Sequence, residues 1–134
     1  MKIVFDTNVI LSALITQGLS SRVLDLCIEK HLLYISPFII DEVTQKLKNK
    51  FNVGAVNIRK TKSFLLASFE LKKPGSDIPH ICRDRDDDNI LALAREVGAH
   101  IIITGDRDLL DMKSFDGTGI ITPREFIEKY HTPH

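Results

Sequence analysis

Acids recur in this chain where an apolar run stops or a helix begins. Asp6 ends Lys2-Ile3-Val4-Phe5 and is followed at once by Thr7-Asn8. Asp106 and Asp108 follow Ile101-Ile102-Ile103 in Thr104-Gly105-Asp106-Arg107-Asp108. Between them lie Asp41-Glu42 and the string Asp84-Arg85-Asp86-Asp87-Asp88-Asn89. A carboxylate just past a buried strand sits on the rim of an α/β sheet, where open α/β folds bind ligands. Several carboxylates converging there do not all stay ionised unless a cation joins them. The pattern points to divalent-metal chemistry on a phosphate.

Each acid also has a plainer reading. Asp6 could simply cap the next helix, since Asp is a favoured N-cap. Three successive side-chain oxygens, on Asp6, Thr7 and Asn8, suit a hard cation better. On a helical wheel Ile39, Ile40, Val43 and Leu47 form an apolar arc, with Glu42 between Phe38 and Ile39 inside it and Asp41 opposite. A lone carboxylate there is costly, so Glu42 needs a partner: a metal, a proton, or Lys46 one turn on. Asp84, Asp86 and Asp88 match the first, third and fifth positions of a calcium loop, but Asn89 and Arg95 stand where that loop needs Gly and Glu. Asp87 and Asp88 lead instead into Ile90-Leu91-Ala92-Leu93-Ala94, a helix start whose dipole favours acids. Asp88, nearest the helix, is expected to be the one fixed toward a site. Gly105 permits a sharp turn ahead of Asp106 and Asp108.

The rest of the sequence narrows the classes. At 134 residues, 43% apolar and 27% charged, the chain is sized for a single soluble domain spanning 1–134. No stretch has the length of a membrane span, and the N-terminus turns acidic too soon for a signal peptide. Cys27 and Cys82 match no metal spacing and read as small hydrophobes in a reducing cytoplasm. His31, His80, His100, His131 and His134 have no ligand spacing. Net charge is zero, which argues against a generic basic coat for nucleic acid. The charge is nonetheless segregated. Lys46, Lys48, Lys50, Arg59, Lys60, Lys62, Lys72 and Lys73 share their stretch with one acid, Glu70. A basic middle beside an acidic site suits a polyanion held by one surface and cut at another. Lys46, Lys48, Arg59, Lys60 and Lys62 are the RNA-binding candidates. The alternative for them is an ordinary solvated helix surface.

The elements that must position these residues alternate. Strands are expected at Ile3–Phe5, Leu32–Ile35, Ile101–Ile103 and Ile120–Ile121. Helices are expected over Asn8–Leu14, from Ser20 or Ser21 to about Lys30, from Pro37 to about Lys50, over Ala55–Glu70 and Asp88–Val97, and from Pro123 to about Tyr130. Pro74-Gly75-Ser76-Asp77 is a loop, and Asp106–Asp108 open a short turn. The order implies an α/β fold, a parallel sheet with helices on both faces.

Taken together, Val4-Phe5-Asp6-Thr7-Asn8, Ser36-Pro37 ahead of Asp41-Glu42-Val43, Cys82 through Ala94, Thr104 through Leu110 and Ile121 through Phe126 resemble the PIN-domain nucleases over nearly the whole chain. The similarity is to the VapC-like branch of toxin components from toxin–antitoxin pairs. That resemblance implies a three-layer α/β/α fold, a Mg²⁺- or Mn²⁺-dependent ribonuclease, frequent homodimerisation and a protein antitoxin. It assigns the catalytic metal site to Asp6, Glu42, Asp88 and Asp106, with Asp87, Asp108, Asn8 and Thr104 close by. No protein nucleophile is then required, because one or two metal ions activate water and stabilise the phosphate charge. A HAD-type phosphatase is the rival, with Gly105-Asp106 and Asp111 as its late motif. It lacks its general acid at Asn8 and leaves Glu42 unexplained. A non-catalytic RNA-binding or assembly module is the third reading, and the full acidic set argues against it.

Overall fold

A computed structural model describes residues 1–131; His134 lies outside them. In chain order the elements are β1 (Lys2–Phe5), α1 (Thr7–Ile15), α2 (Leu19–Lys30), β2 (Leu32–Ile35), α3 (Pro37–Phe51), α4 (Ala55–Ser68), β3 (Glu70–Leu71), α5 (Arg85–Val97), β4 (Ile101–Ile103), α6 (Arg107–Met112), β5 (Ser114–Phe115), β6 (Thr118–Ile121) and α7 (Pro123–Tyr130). The strands form one sheet in the order β3-β2-β1-β4-β6-β5, parallel except for the β5–β6 hairpin. The architecture is three-layer α/β/α.

The connections explain the layers. From β1 the chain steps one way along the sheet, to β2 and then β3, and returns to β4 and β6 on the other side of β1. Right-handed crossovers put the first two connections on one face and the return on the other. Contacts agree: α1 meets α2 and α3, α3 meets α4, and α2 meets α7, while α5 packs on β1 and β2. The reversal between β1 and β4 is a topological switch point, the place where such sheets open a crevice for ligands.

The central strands are apolar on both faces, as a covered parallel sheet requires. Ile101, Ile102 and Ile103 are all buried, as are Ile3, Val4 and Phe5. Each such side chain contributes roughly 1.5–3 kcal/mol when fully buried. The hinge points of the chain follow local chemistry. Ser36 caps α3 by accepting from the Ile39 amide at 3.2 Å, with Pro37 in the first turn. Gly98, at φ 63°, ends α5 in the left-handed conformation that glycine adopts without strain. Thr122 and Glu125 form a capping box on α7.

Four expectations are corrected. The second helix starts at Leu19 with Gly18 at its cap, not at a serine. The helix expected to reach Glu70 stops at Ser68, and Glu70–Leu71 join the sheet as β3. The helix expected from Asp88 begins three residues earlier, at Arg85, because Asp84 caps it by accepting from the Asp86 amide at 2.9 Å. The turn after Gly105 is a full short helix, α6, and β5 adds an antiparallel edge strand that the sequence pattern did not display.

Candidate metal centre

The parallel register sets the site. Phe5 pairs with Ile103, so the residues after them, Asp6 and Thr104, emerge side by side at the switch point. The Asp6 amide donates to the Ile103 carbonyl at 2.9 Å. The Thr104 hydroxyl donates to Asp6 Oδ2 at 2.7 Å and accepts from the Asp106 amide at 2.9 Å. One buried hydroxyl thus ties two carboxylate-bearing strand ends together. Asp106 Oδ1 caps α6, accepting from the Asp108 and Leu109 amides at 2.8 and 3.2 Å. Asp6 Oδ1 takes a longer bond, 3.4 Å, from the Asn8 amide at the start of α1. Capping and site-building are therefore served by the same carboxylates.

Glu42 reaches this rim from α3. Its Oε1 accepts from the Thr7 hydroxyl at 2.6 Å. It is half-buried at the edge of the apolar arc, not inside the core. Its pKa is raised, first by burial and then by the neighbouring Asp86 carboxyl, while Thr7 and Lys46 pull the other way. Lys46 makes its own bond elsewhere, to Asn8 Oδ1 at 3.3 Å. Its ammonium lies close enough to favour ionised Asp6 and Glu42.

The acidic string on α5 splits into two roles. Asp88 is fully buried. Its Oδ1 accepts from the Ile81 and Cys82 amides at 3.1 and 2.9 Å, and its Oδ2 pairs with Arg85 at 3.0 Å. Arg85 also donates to the Pro79 carbonyl at 3.1 Å. These partners hold the Asp88 carboxyl below the usual carboxylate range despite its burial. Its charge is already compensated, with Oδ1 on the 81–82 amides and Oδ2 on Arg85. Asp87 is the reverse case. The residue is 7% exposed, and its Oδ2 is buried with no hydrogen-bond partner. Burial, then the charges of Asp106, Asp6, Asp84 and Asp108, push its pKa up to about 7. Asp6 is raised too, by burial and by Asp106. The structure thus brings Asp6, Asp87 and Asp106 within electrostatic reach of one another, with Glu42 and Asp86 paired alongside.

Asp108 stands one step out. Its carboxylate accepts from Arg83 at 2.6 Å, which holds its pKa low. A groove of about 520 Å³ runs from Asp6 and Asp106 past Asn8, Ser12, Ser20 and Arg107. Among the described residues no three His, Cys, Asp or Glu side chains are grouped as a ready-made metal cage. The donor chemistry still fits a hard cation. The side chains are all-oxygen, which suits Mg²⁺ or Mn²⁺. One buried carboxylate oxygen lacks any partner, and its neighbours repel it for want of positive charge.

The remaining candidates lie elsewhere. Arg59, Lys60 and Lys62 are exposed on α4, and Lys48 is exposed in the last turn of α3. His31 meets His131 at 3.2 Å between their Nε2 atoms, and His100 Nδ1 accepts from the Lys2 amide. These three lie at the N-terminal end of the strands, away from the acids. Cys27 and Cys82 are free thiols, and burial pushes each up to about 12.

The family model of the PIN domain matches residues 2–108. The chain belongs to the PIN-domain family, which displaces the phosphatase alternative. A curated relative is the uncharacterized protein MJ1680 of Methanocaldococcus jannaschii, 34% identical over 97% of this chain and 92% of its own length. Among solved structures, VapBC2 from Rickettsia felis, bound to a DNA fragment from its promoter, is similar in fold. It has a TM-score of 0.64 at 14% identity, over 91% of this chain and 98% of that one. FitAB bound to an IR36 DNA fragment is similar at a TM-score of 0.62 and 19% identity, over 98% of both chains. Among the described residues no single helix is long and apolar enough to cross a membrane.

Proposed function

We propose that this chain is a Mg²⁺- or Mn²⁺-dependent endoribonuclease and the toxin of a toxin–antitoxin pair. The observation that carries the reading is the buried, unpartnered Asp87 Oδ2 among Asp6 and Asp106. Membership of the PIN-domain family supports the nuclease class. The similarity to VapBC2 and FitAB supports a protein antitoxin.

In this reading Asp6, Asp87 and Asp106 hold the metal, and Glu42 completes the acidic set. Asp88 takes the part of a positioning residue, fixing the 79–82 backbone and thereby the start of α5. A bound ion of this kind lowers the pKa of water and stabilises developing charge on a phosphodiester. Thr104 ties the Asp6 carboxyl to the Asp106 backbone and so sets the spacing of the two residues. Thr7 holds Glu42 Oε1, and the Glu42 carboxyl, paired with Asp86, would accept a proton from water at the site, a task that a raised pKa favours. Arg107, in the groove beside Asp106, meets a phosphate oxygen. The exposed Lys48, Arg59, Lys60 and Lys62, with Lys46, attract the RNA strand.

The test is cleavage of a labelled RNA with Mg²⁺ or Mn²⁺, with EDTA, and with Asp87→Asn. Cleavage that needs the metal and is lost in Asp87→Asn is the expected result. Equal cleavage in EDTA, or full activity in Asp87→Asn, overturns the reading.

A further inference from the structure

A second pocket opens on the same rim, beside the acids but outside the groove that contains them. It has a volume of about 170 Å³, and Ser36, Pro37, Phe38, Lys73, Pro74, Ile78 and Asn89 line it. Its walls come from three places: the start of α3, the loop after β3, and the second turn of α5. Phe38 precedes Glu42 by one turn of α3, a rise of about 6 Å. Asn89 follows Asp86 by nearly one turn of α5. Both walls are therefore one helical turn from the Glu42–Asp86 pair. Whatever occupies the pocket is a close neighbour of whatever the acids act on.

The lining has a consistent chemistry. Phe38 is half-buried and offers a ring, and Pro37 and Pro74 add flat apolar surfaces. Ser36 Oγ accepts from the Ile39 amide at 3.2 Å in its cap, and its O–H remains a donor at the pocket edge. Asn89 Nδ2 donates to the Arg85 carbonyl at 3.1 Å, which fixes the amide plane while its Oδ1 stays available as an acceptor. Lys73 is exposed and supplies the only cation of the lining. The volume is below the ~300 Å³ at which drug-sized pockets begin and suits a single planar ring system. Aromatic and apolar walls with polar groups at the edge are how proteins hold an unstacked base of a single strand. Lys73 adds attraction for the attached backbone.

We propose that this pocket receives one nucleobase of the RNA strand, next to the phosphate held at the acids, and so contributes to the choice of cleavage site. The proposal rests on the nuclease reading for its substrate. It goes beyond that reading in naming where a base is bound and by which residues.

The experiment uses RNA oligonucleotides with an abasic residue at each position around the cut, against the whole protein. Cleavage is followed with Mn²⁺, and binding to the metal-free protein is measured separately by fluorescence anisotropy. For wild type, one abasic position should raise KM about tenfold, the size of one lost base-stacking contact, with kcat changed less than about twofold. Phe38→Ala should raise KM for the intact oligonucleotide by a similar factor and make that abasic position silent. Asn89→Ala and Lys73→Ala, which leave the packed ring in place, should give smaller increases in KM with the same position dependence. These two variants keep the test valid if Phe38→Ala folds poorly.

Cleavage without any position effect in either arm overturns the pocket and leaves the nuclease reading intact. Position-specific binding without cleavage of any RNA supports the pocket and overturns the nuclease reading. Position effects that persist unchanged in all three variants place the base elsewhere and overturn the proposal.

Discussion

Asp87 and Asp88 are adjacent and chemically identical, yet the structure gives neutralising them opposite consequences. Asp88→Asn keeps one oxygen for the Ile81 and Cys82 amides but turns an amide toward Arg85 or toward those amides. At least one charge-assisted bond of a fully buried group is lost. Bonds of that kind contribute about 1.5–3 kcal/mol each. The expected loss is about 2–3 kcal/mol, or roughly 6–12 °C in Tm for a domain of this size. Asp87→Asn does the reverse. It removes a charge that Asp6, Asp84, Asp106 and Asp108 repel, and it gives a buried, unpartnered oxygen position the chance to donate. Metal-free protein should gain about 1 kcal/mol or more at pH 8. The sign in pH follows from the raised pKa. Wild-type Asp87 is protonated in both states below the ordinary value of 3.8. Its penalty grows as pH rises from there to about 7 and is constant above. The stability gap between Asp87→Asn and wild type should therefore open across that window and then level off. Urea unfolding in EDTA at pH 4, 6 and 8, with Mn²⁺ titrations of each variant, reads all of this. If Asp88→Asn leaves the metal-free fold unchanged but abolishes Mn²⁺ binding, while Asp87→Asn destabilises it, the two roles have been assigned the wrong way round.

Three further outcomes follow from the same geometry. Thr104→Val keeps the shape but removes the hydroxyl between Asp6 and the Asp106 amide; unfolding should show a loss of about 2–3 kcal/mol, and unchanged stability would deny that bridge any weight. Glu42→Gln retains an acceptor for Thr7 and removes repulsion with Asp86, so metal-free Tm should hold or rise while Mn²⁺ affinity falls at least about tenfold. A lower Tm with normal Mn²⁺ binding would make Lys46 its true partner. Replacing Lys46, Lys48, Arg59, Lys60 and Lys62 together by Ala should weaken RNA binding and flatten its salt dependence by about 0.7 in logarithmic slope per lost phosphate contact. An unaltered slope returns those residues to ordinary surface.

Much of this was legible in the sequence because its signals are local. Ile101-Ile102-Ile103 reads as a buried strand whatever surrounds it, and Ser36-Pro37 announces a helix start from two residues. The acids at positions 6 and 106 were legible for the same reason, since a strand end fixes their place on the rim. Glu70–Leu71 and Ser114–Phe115 were not, because two residues carry no periodicity and owe their strand conformation to a neighbour. The choice between Asp87 and Asp88 depends on the 79–82 backbone, which folds back onto α5 and engages Asp88; nothing in the helix itself encodes that. One weak signal existed. Asp87 heads the row Ile90, Leu91, Ala94, all buried, whereas the Asp88 row ends in exposed Arg95. If Asp87 rather than Asp88 faces the metal, position around the helix is a better guide than closeness to its start.

That Asp6 and Asp106 both begin helices has a bearing on descent. Asn caps a helix about as well as Asp, and Ala does so far less well. A lineage released from selection for catalysis still has to fold, so its losses at these two positions should run to Asn or Ser before any apolar residue. On the nuclease reading, silenced descendants carrying Asn would then look almost intact, differing from active ones by a single side-chain heavy atom at each of two places.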